Sequence, residues 1–210
     1  MWSHIKADGI KWTQVGHITF EMYDELLNNM EESIESTDGE FLPLWFTSPG
    51  GEFYVFKALR DYIKEVKRKG TPVVTSLSNC WGCRSAGLSL YAMGDLRYAT
   101  PESRWMLHTV SAIIDTTTST PANKFSLIEQ DEQPSEDEVM KSIKEKSNDL
   151  FSMLAEDLGL SSEDIWSFLN KHSEGRNETD FGIEVAKEIN LYTHVGIPNK
   201  LEILDNLNKK

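Results

Sequence analysis

Three short segments between Phe46 and His108 restrict this chain more than anything else in it. Phe46-Thr47-Ser48-Pro49-Gly50-Gly51 is an apolar, strand-like run broken by a Pro-Gly-Gly turn. Cys83-Arg84-Ser85-Ala86-Gly87 sets a serine before two small residues, and Ser103-Arg104-Trp105-Met106-Leu107-His108 ends an apolar run on a histidine. A paired glycine can expose backbone N–H groups to an oxyanion. A serine before small residues fits a tight strand-to-helix turn with its hydroxyl free, and a histidine closing an apolar run can be held beside it as a base. Each feature is common alone, since Pro-Gly-Gly is an ordinary turn and Ser-Ala-Gly an ordinary helix start. Their order and spacing carry the information.

The surrounding periodicity predicts an α/β chain. The segment through Gly16 reads as one or two edge strands with turns. Met22, Tyr23, Leu26, Leu27, Met30 and Ile34 recur at helical spacing after Thr19, which is placed to cap the helix. Residues 41–46 read as a buried strand. Phe56, Leu59, Ile63 and Val66 then define one face of a second helix, opposite Lys57, Arg60, Lys64, Lys67 and Arg68, with Gly70 as its end. Residues 72–77 form a β-branched strand. Strand, helix and strand imply a parallel pair with a right-handed crossover, which gathers loops at the sheet edge where active sites of open α/β sheets lie.

Residues 86–94 predict a small-residue helix that begins at Ser85, bringing the positive end of the helix dipole to the serine. Residues 95–101 predict a short strand and turn. Polar, β-branched and acidic residues over 111–134 predict a long loop. Ser135, with Glu138 as capping partner, opens a helix over 135–158 whose apolar stripe is Val139, Ile143, Leu150, Leu154 and Leu158. Such a helix packs on its own domain or on a neighbouring subunit. Ser161 or Ser162 caps a shorter helix carrying Ile165, Trp166 and Leu169, and the tail over 196–210 is a docking arm or a frayed end.

Composition bounds the function classes. With 210 residues, 39% hydrophobic and 26% charged, the chain suits a single domain over 1–210 and leaves no room for a second full one. A net charge of -13 argues against nucleic acid, whose phosphates call for clustered Lys and Arg. No run approaches the roughly 20 apolar residues that span a bilayer, and the first eight residues have no apolar core, so the expectation is a cytoplasmic protein with no membrane partner. Two cysteines, Cys80 and Cys83, exclude a disulfide-rich scaffold.

In order and spacing the three segments resemble the Clp protease proteolytic subunit (ClpP) family. The family's Ser-Pro-Gly-Gly-like turn, Ser-x-Gly elbow and Pro-x-x-Arg-x-Met-x-His run correspond to Ser48-Pro49-Gly50-Gly51, Ser85-Ala86-Gly87 and Pro101 to His108. The resemblance covers about 45–191 with a gap in the middle. It implies a ClpP/crotonase-like fold of repeated β-β-α units with a parallel sheet and a protruding handle helix. It further implies a serine peptidase without cofactor or metal: Ser85 as nucleophile, His108 as base, and the Gly51 and Ala86 amides as oxyanion hole. Peptides or unfolded polypeptides would be cleaved inside a homo-oligomeric ring, a heptamer or double ring, to which an ATP-dependent unfoldase would deliver them. No Gly-x-x-x-x-Gly-Lys loop occurs in this chain, so that ATPase would be a separate protein.

Two acids compete for the third position. Alignment on Ala186 without gaps selects Glu178, whereas alignment on the Asp-aromatic pair Asp180-Phe181 selects Asp180, the preferred reading because a short carboxylate before a large apolar residue suits the holding of an imidazole. Either acid alone reads as a helix cap before Ile183. The chain departs from the family at Arg84, where a small residue is usual, and at Thr109-Val110-Ser111-Ala112-Ile113-Ile114, which is not glycine-rich. Two rival functions follow: a catalytically inactive assembly subunit of the same fold, and a thiol-disulfide redox protein using Cys80-Trp81-Gly82-Cys83. As a zinc site that pair would supply only two of four ligands. His4, His17, His172 and His194 lack a matching context and read as surface or capping residues.

Overall fold

The computed structural model describes residues 4–78, 81–110, 114–115, 120–121 and 136–209. The strands are β1 (His4–Ala7), β2 (Ile10–Val15), β3 (Leu42–Phe46), β4 (Val73–Leu77), β5 (Cys83–Arg84), β6 (Leu96–Ala99), β7 (Arg104–His108), β8 (Ile114–Asp115), β9 (Thr120–Pro121), β10 (Glu178–Gly182) and β11 (His194–Val195). The helices are α1 (Tyr23–Ser36), α2 (Phe53–Arg68), α3 (Ala86–Ala92), α4 (Glu136–Leu158), α5 (Ser162–His172), α6 (Ile183–Ala186) and α7 (Lys200–Leu207). The predicted loop over 111–134 and the predicted cap Ser135 lie largely outside the described residues; within that stretch β8 and β9 pair antiparallel.

The protein is α/β, built on a six-stranded sheet in the order β1-β2-β3-β4-β6-β11. Neighbours from β2 to β11 run parallel, and β1 pairs antiparallel with β2. β3 and β4 are buried at every position, as strands covered on both faces must be. Alternation divides their side chains. Leu42, Leu44 and Phe46 join the large cluster that also holds the apolar faces of α1, α2 and α3. Trp45, Trp12, Val74 and Tyr98 point the other way, into a second cluster completed by Ile203 of α7. The C-terminal tail therefore docks on its own sheet.

Arg60 corrects the sequence reading of α2. Helical periodicity puts it on the charged outer face, but its side chain is only 3% exposed and the C-terminal half of α4 covers it. Its guanidinium keeps polar partners there, pairing with Asp157 and, at 2.7 Å, with Glu156, and donating to the Met153 carbonyl at 3.3 Å. A buried cation needs such partners because it has lost its water. Leu150, Phe151, Leu154, Ala155 and Leu158 of α4 are buried in the main cluster, whereas Met140 near its N-terminus is 58% exposed. α5 starts at Ser161, whose hydroxyl accepts the Asp164 N–H while Asp164 accepts the Ser161 N–H, a reciprocal cap.

A second sheet, of three strands in the order β10-β7-β5, carries the sequence-predicted residues. Its inner face is apolar: Cys83, Trp105, Leu107 and Phe181 are buried, and the Trp105 ring stacks on Phe181 at 6.2 Å. The opposite face presents Arg84, Met106, His108, Glu178 and Asp180 to solvent in varying degree. No helix among the described residues is long and apolar enough to cross a membrane.

The division of α4 into a buried and an open half gives a stability prediction. Leu154→Ala, at a fully buried site, lowers unfolding free energy in urea by about 2–5 kcal/mol. Met140→Ala changes it by less than about 0.5 kcal/mol. Equal effects would show that α4 is packed uniformly.

Candidate active site

The site begins where β3 ends. Gly50 and Gly51 adopt φ values of +95° and +156°. A Cβ on Gly51 would stand 1.9 Å from the Ile18 carbonyl oxygen, so only glycine lets the two backbones meet. The Ile18 N–H donates to the Gly50 carbonyl at 2.9 Å, and the Glu52 N–H donates to the Ile18 carbonyl at 2.8 Å. Neither bond uses the Gly51 N–H. On the other side the Ser48 N–H donates to the Gly82 carbonyl at 3.2 Å and the Arg84 N–H to the Ser48 carbonyl at 2.9 Å, tying the turn to β5. Buried Ser48 has a role that sequence reading left unassigned: its hydroxyl donates to the Gly16 carbonyl and accepts the Gly50 N–H at 3.2 Å. The signal for it was a serine opening a Pro-Gly turn.

Ser85 sits between β5 and α3 with φ 52° and ψ -126°. L-residues rarely adopt this conformation, which costs on the order of 1–3 kcal/mol and is characteristic of functional sites. It is held there by its own N–H, which donates to the Met106 carbonyl at 2.9 Å. Gly50 lies directly against it: a Cβ on Gly50 would stand 2.7 Å from the Ser85 Cβ and 3.3 Å from its Oγ. Ala86 is the first residue of α3, so its N–H is among those with no acceptor inside the helix. The Gly87 position has no room for a side chain, because a Cβ there would lie 2.5 Å from the Ser48 Oγ. The amides of Gly51 and Ala86 are thus both left unused by secondary structure around the serine.

His108 is the last residue of β7 and partly buried. Antiparallel pairing places Glu178 opposite His108 and Asp180 opposite Met106. The Thr109 N–H donates to the Asn177 carbonyl at 3.0 Å. The next pair along, His108 and Glu178, is therefore the non-hydrogen-bonded kind, in which Cα atoms approach most closely and side chains share one face. Asp180 meets a different partner: its Oδ1 lies 3.5 Å from the Arg84 Nη2, the two side chains being 61% and 43% exposed. Both acids lie within a strand rather than at a helix cap; the cap position before Ile183 belongs to Gly182. Among the described residues no direct hydrogen bond joins Ser85, His108 and either carboxylate. Catalytic hydrogen bonds commonly tighten only around bound substrate.

α4 secures the chain just beyond the histidine. The Val110 N–H donates to the Ser147 hydroxyl at 2.9 Å, and that hydroxyl donates to the Ile143 carbonyl at 2.7 Å. Two of the remaining histidines serve local packing: His172 meets Glu188 at 3.1 Å and the Phe168 ring, and His194 stacks on Tyr98 at 4.9 Å.

Cys83 points into the core on the inner face of β5, fully buried, and burial pushes its thiol well above the ordinary cysteine range. Thiol exchange calls for the reverse, an accessible sulfur with a lowered pKa. Cys80 lies outside the described residues. The expected outcome is that iodoacetamide at pH 8 leaves Cys83 of the native protein unmodified, and that peptide mapping finds the adduct only after unfolding. Rapid alkylation of native Cys83 would contradict this burial.

Compared with known proteins, the chain matches no protein-family model and no curated sequence.

Proposed function

We propose that the protein is a serine peptidase of ClpP-like fold. The observation that carries this reading is the backbone of Ser85, a non-glycine residue at φ 52° between a strand and a helix N-terminus, with Gly50 against its hydroxyl. A serine on such a strained turn has its Oγ lifted clear of the sheet for attack. In the proposed mechanism Ser85 Oγ attacks the scissile carbonyl while His108 takes its proton, and the Gly51 and Ala86 amides receive the developing oxyanion. His108 then returns the proton to the leaving amine, and water repeats the sequence on the acyl-enzyme.

For the orienting acid the register supports Glu178 over Asp180, the preferred reading from sequence. Glu178 faces His108 directly, whereas Asp180 lies two residues further along β10 and is engaged by Arg84. The substrates in this reading are peptides or unfolded polypeptides, cleaved within a ring of identical subunits to which a separate ATP-driven unfoldase delivers them. The open N-terminal half of α4, with Met140 exposed, offers a surface for contacts between subunits.

A fluorophosphonate probe followed by peptide mass spectrometry tests the nucleophile. The adduct forms on Ser85 in the native chain and is lost in His108→Ala; absence of any adduct from the folded, assembled protein would overturn the peptidase reading in favour of an inactive scaffold. For the acid, Glu178→Gln reduces kcat on a fluorogenic peptide by about 100-fold or more, because an amide stabilises the wrong imidazole tautomer. Asp180→Asn reduces it by less than about 10-fold if its main partner is Arg84. The reverse order would return the acid role to Asp180.

A further inference from the structure

We propose that Arg84 is a specificity-determining residue that receives a substrate carboxylate beside the scissile bond, an inference that rests on the peptidase reading and names its substrate class. Arg84 immediately precedes the nucleophile, and its position on β5 aligns with Met106 and then with Asp180 across the small sheet. Residues in register share a face, so the guanidinium lies on the surface that carries His108, two residues beyond Met106. A substrate carbonyl held at Ser85 therefore brings its neighbouring residues over Arg84.

What Arg84 holds in the free protein shows the chemistry that fits. Its partner is a carboxylate, Asp180, at 3.5 Å. That pair is long and open to solvent on both sides, with side-chain exposures of 43% and 61%. Exposed pairs of this kind contribute little and exchange readily with water. The pair can thus open for an incoming carboxylate, to which the planar guanidinium can offer two parallel N–H groups. Asp180 then acts as a placeholder that keeps the cation positioned until substrate arrives. Arg104 stands on the same face at the start of β7, with its Nη1 2.6 Å from where a Cβ on Gly182 would be. The acids of the face are Asp180, paired with Arg84, and Glu178, opposite His108, which is the remaining titratable group there. In a chain of net charge -13, an arginine directly before the serine sets a cation at the site.

The carboxylate could come from an Asp or Glu side chain flanking the cleaved bond or from the substrate's C-terminus, and the experiment separates the two. Internally quenched peptides differing only in Asp against Asn next to the cleaved bond, and a second pair ending in a free carboxylate or a carboxamide, are compared by kcat/KM. The same four sequences, labelled with fluorescein, are compared by anisotropy on Ser85→Ala protein. The charged member of at least one pair is preferred about 5-fold. In Arg84→Gln the ratio collapses toward one, Arg84→Lys retains part of it, and Asp180→Asn raises it. Because each result is a ratio within one protein, loss of folded material does not change it. A ratio unaltered in Arg84→Gln, or absent from the unsubstituted protein, would overturn the proposal. Failure of the fluorophosphonate reaction would instead remove the peptidase reading, and the anisotropy ratios would still decide whether Arg84 receives a carboxylate.

Discussion

The close passage of Gly51 over Ile18 is the constraint on which the rest of the site depends. A carbonyl oxygen occupies the place of a side chain there, so the turn after β3 can be pulled against the segment between β2 and α1. The two flanking hydrogen bonds consume the Gly50 carbonyl and the Glu52 amide. That use of the neighbours leaves the Gly51 amide outside the ladder. Gly50, drawn in by the same turn, comes to rest against Ser85. One backbone contact therefore frees the Gly51 amide and braces Ser85.

The small sheet turns this local geometry into a surface with two characters. Its inner face is anchored by buried Trp105 between Phe181, Tyr192 and Tyr91. Strict alternation then forces Arg84, Met106, His108, Glu178 and Asp180 onto the outer face. Ser85 is held to this sheet through the Met106 carbonyl, so it and His108 are carried by one element. α4 completes the support by holding the chain after His108 at Ser147 and by covering Arg60 with Asp157 and Glu156. Desolvation raises the Asp157 carboxyl while the Arg60 hydrogen bond opposes that rise. An ion pair buried in this way adds little net stability, because the cost of desolvation offsets its attraction, but removal of Arg60 would leave Asp157 buried without its partner.

Much of the architecture was legible in residue patterns. The apolar run at 41–46, the amphipathic face of α2 and the β-branched run before Leu77 predicted a parallel strand-helix-strand unit, and β3, α2 and β4 form one. The cap at Ser161 and the apolar stripe of α4 were equally readable, because both arise from neighbours within a turn or two of helix. The serine at the start of a helix was legible for the same reason. Arg60 was misread, since a helical wheel shows only which residues share a face and not that a second helix will cover one of them. The tail was undecided because Ile203, Leu204 and Leu207 acquire meaning only from Trp12, Trp45 and Tyr98 on the sheet beneath.

The choice between Glu178 and Asp180 shows where pattern reading stops. Two residues apart in a strand, they point to the same side, so alternation treats them alike. Only the register of β10 against β7 separates them, and that register is set by backbone pairing between strands lying on either side of α4 and α5. The sequence by itself determined the α/β class, the strand-helix-strand unit of β3, α2 and β4, and the residue types capable of attack, proton transfer and oxyanion binding, because these follow from local periodicity and side-chain chemistry. The tertiary structure alone decided that Gly51 could meet Ile18, that Ser85 would be strained, which acid faces His108 and that Arg84 would hold the other, because each is a contact between segments distant in the chain.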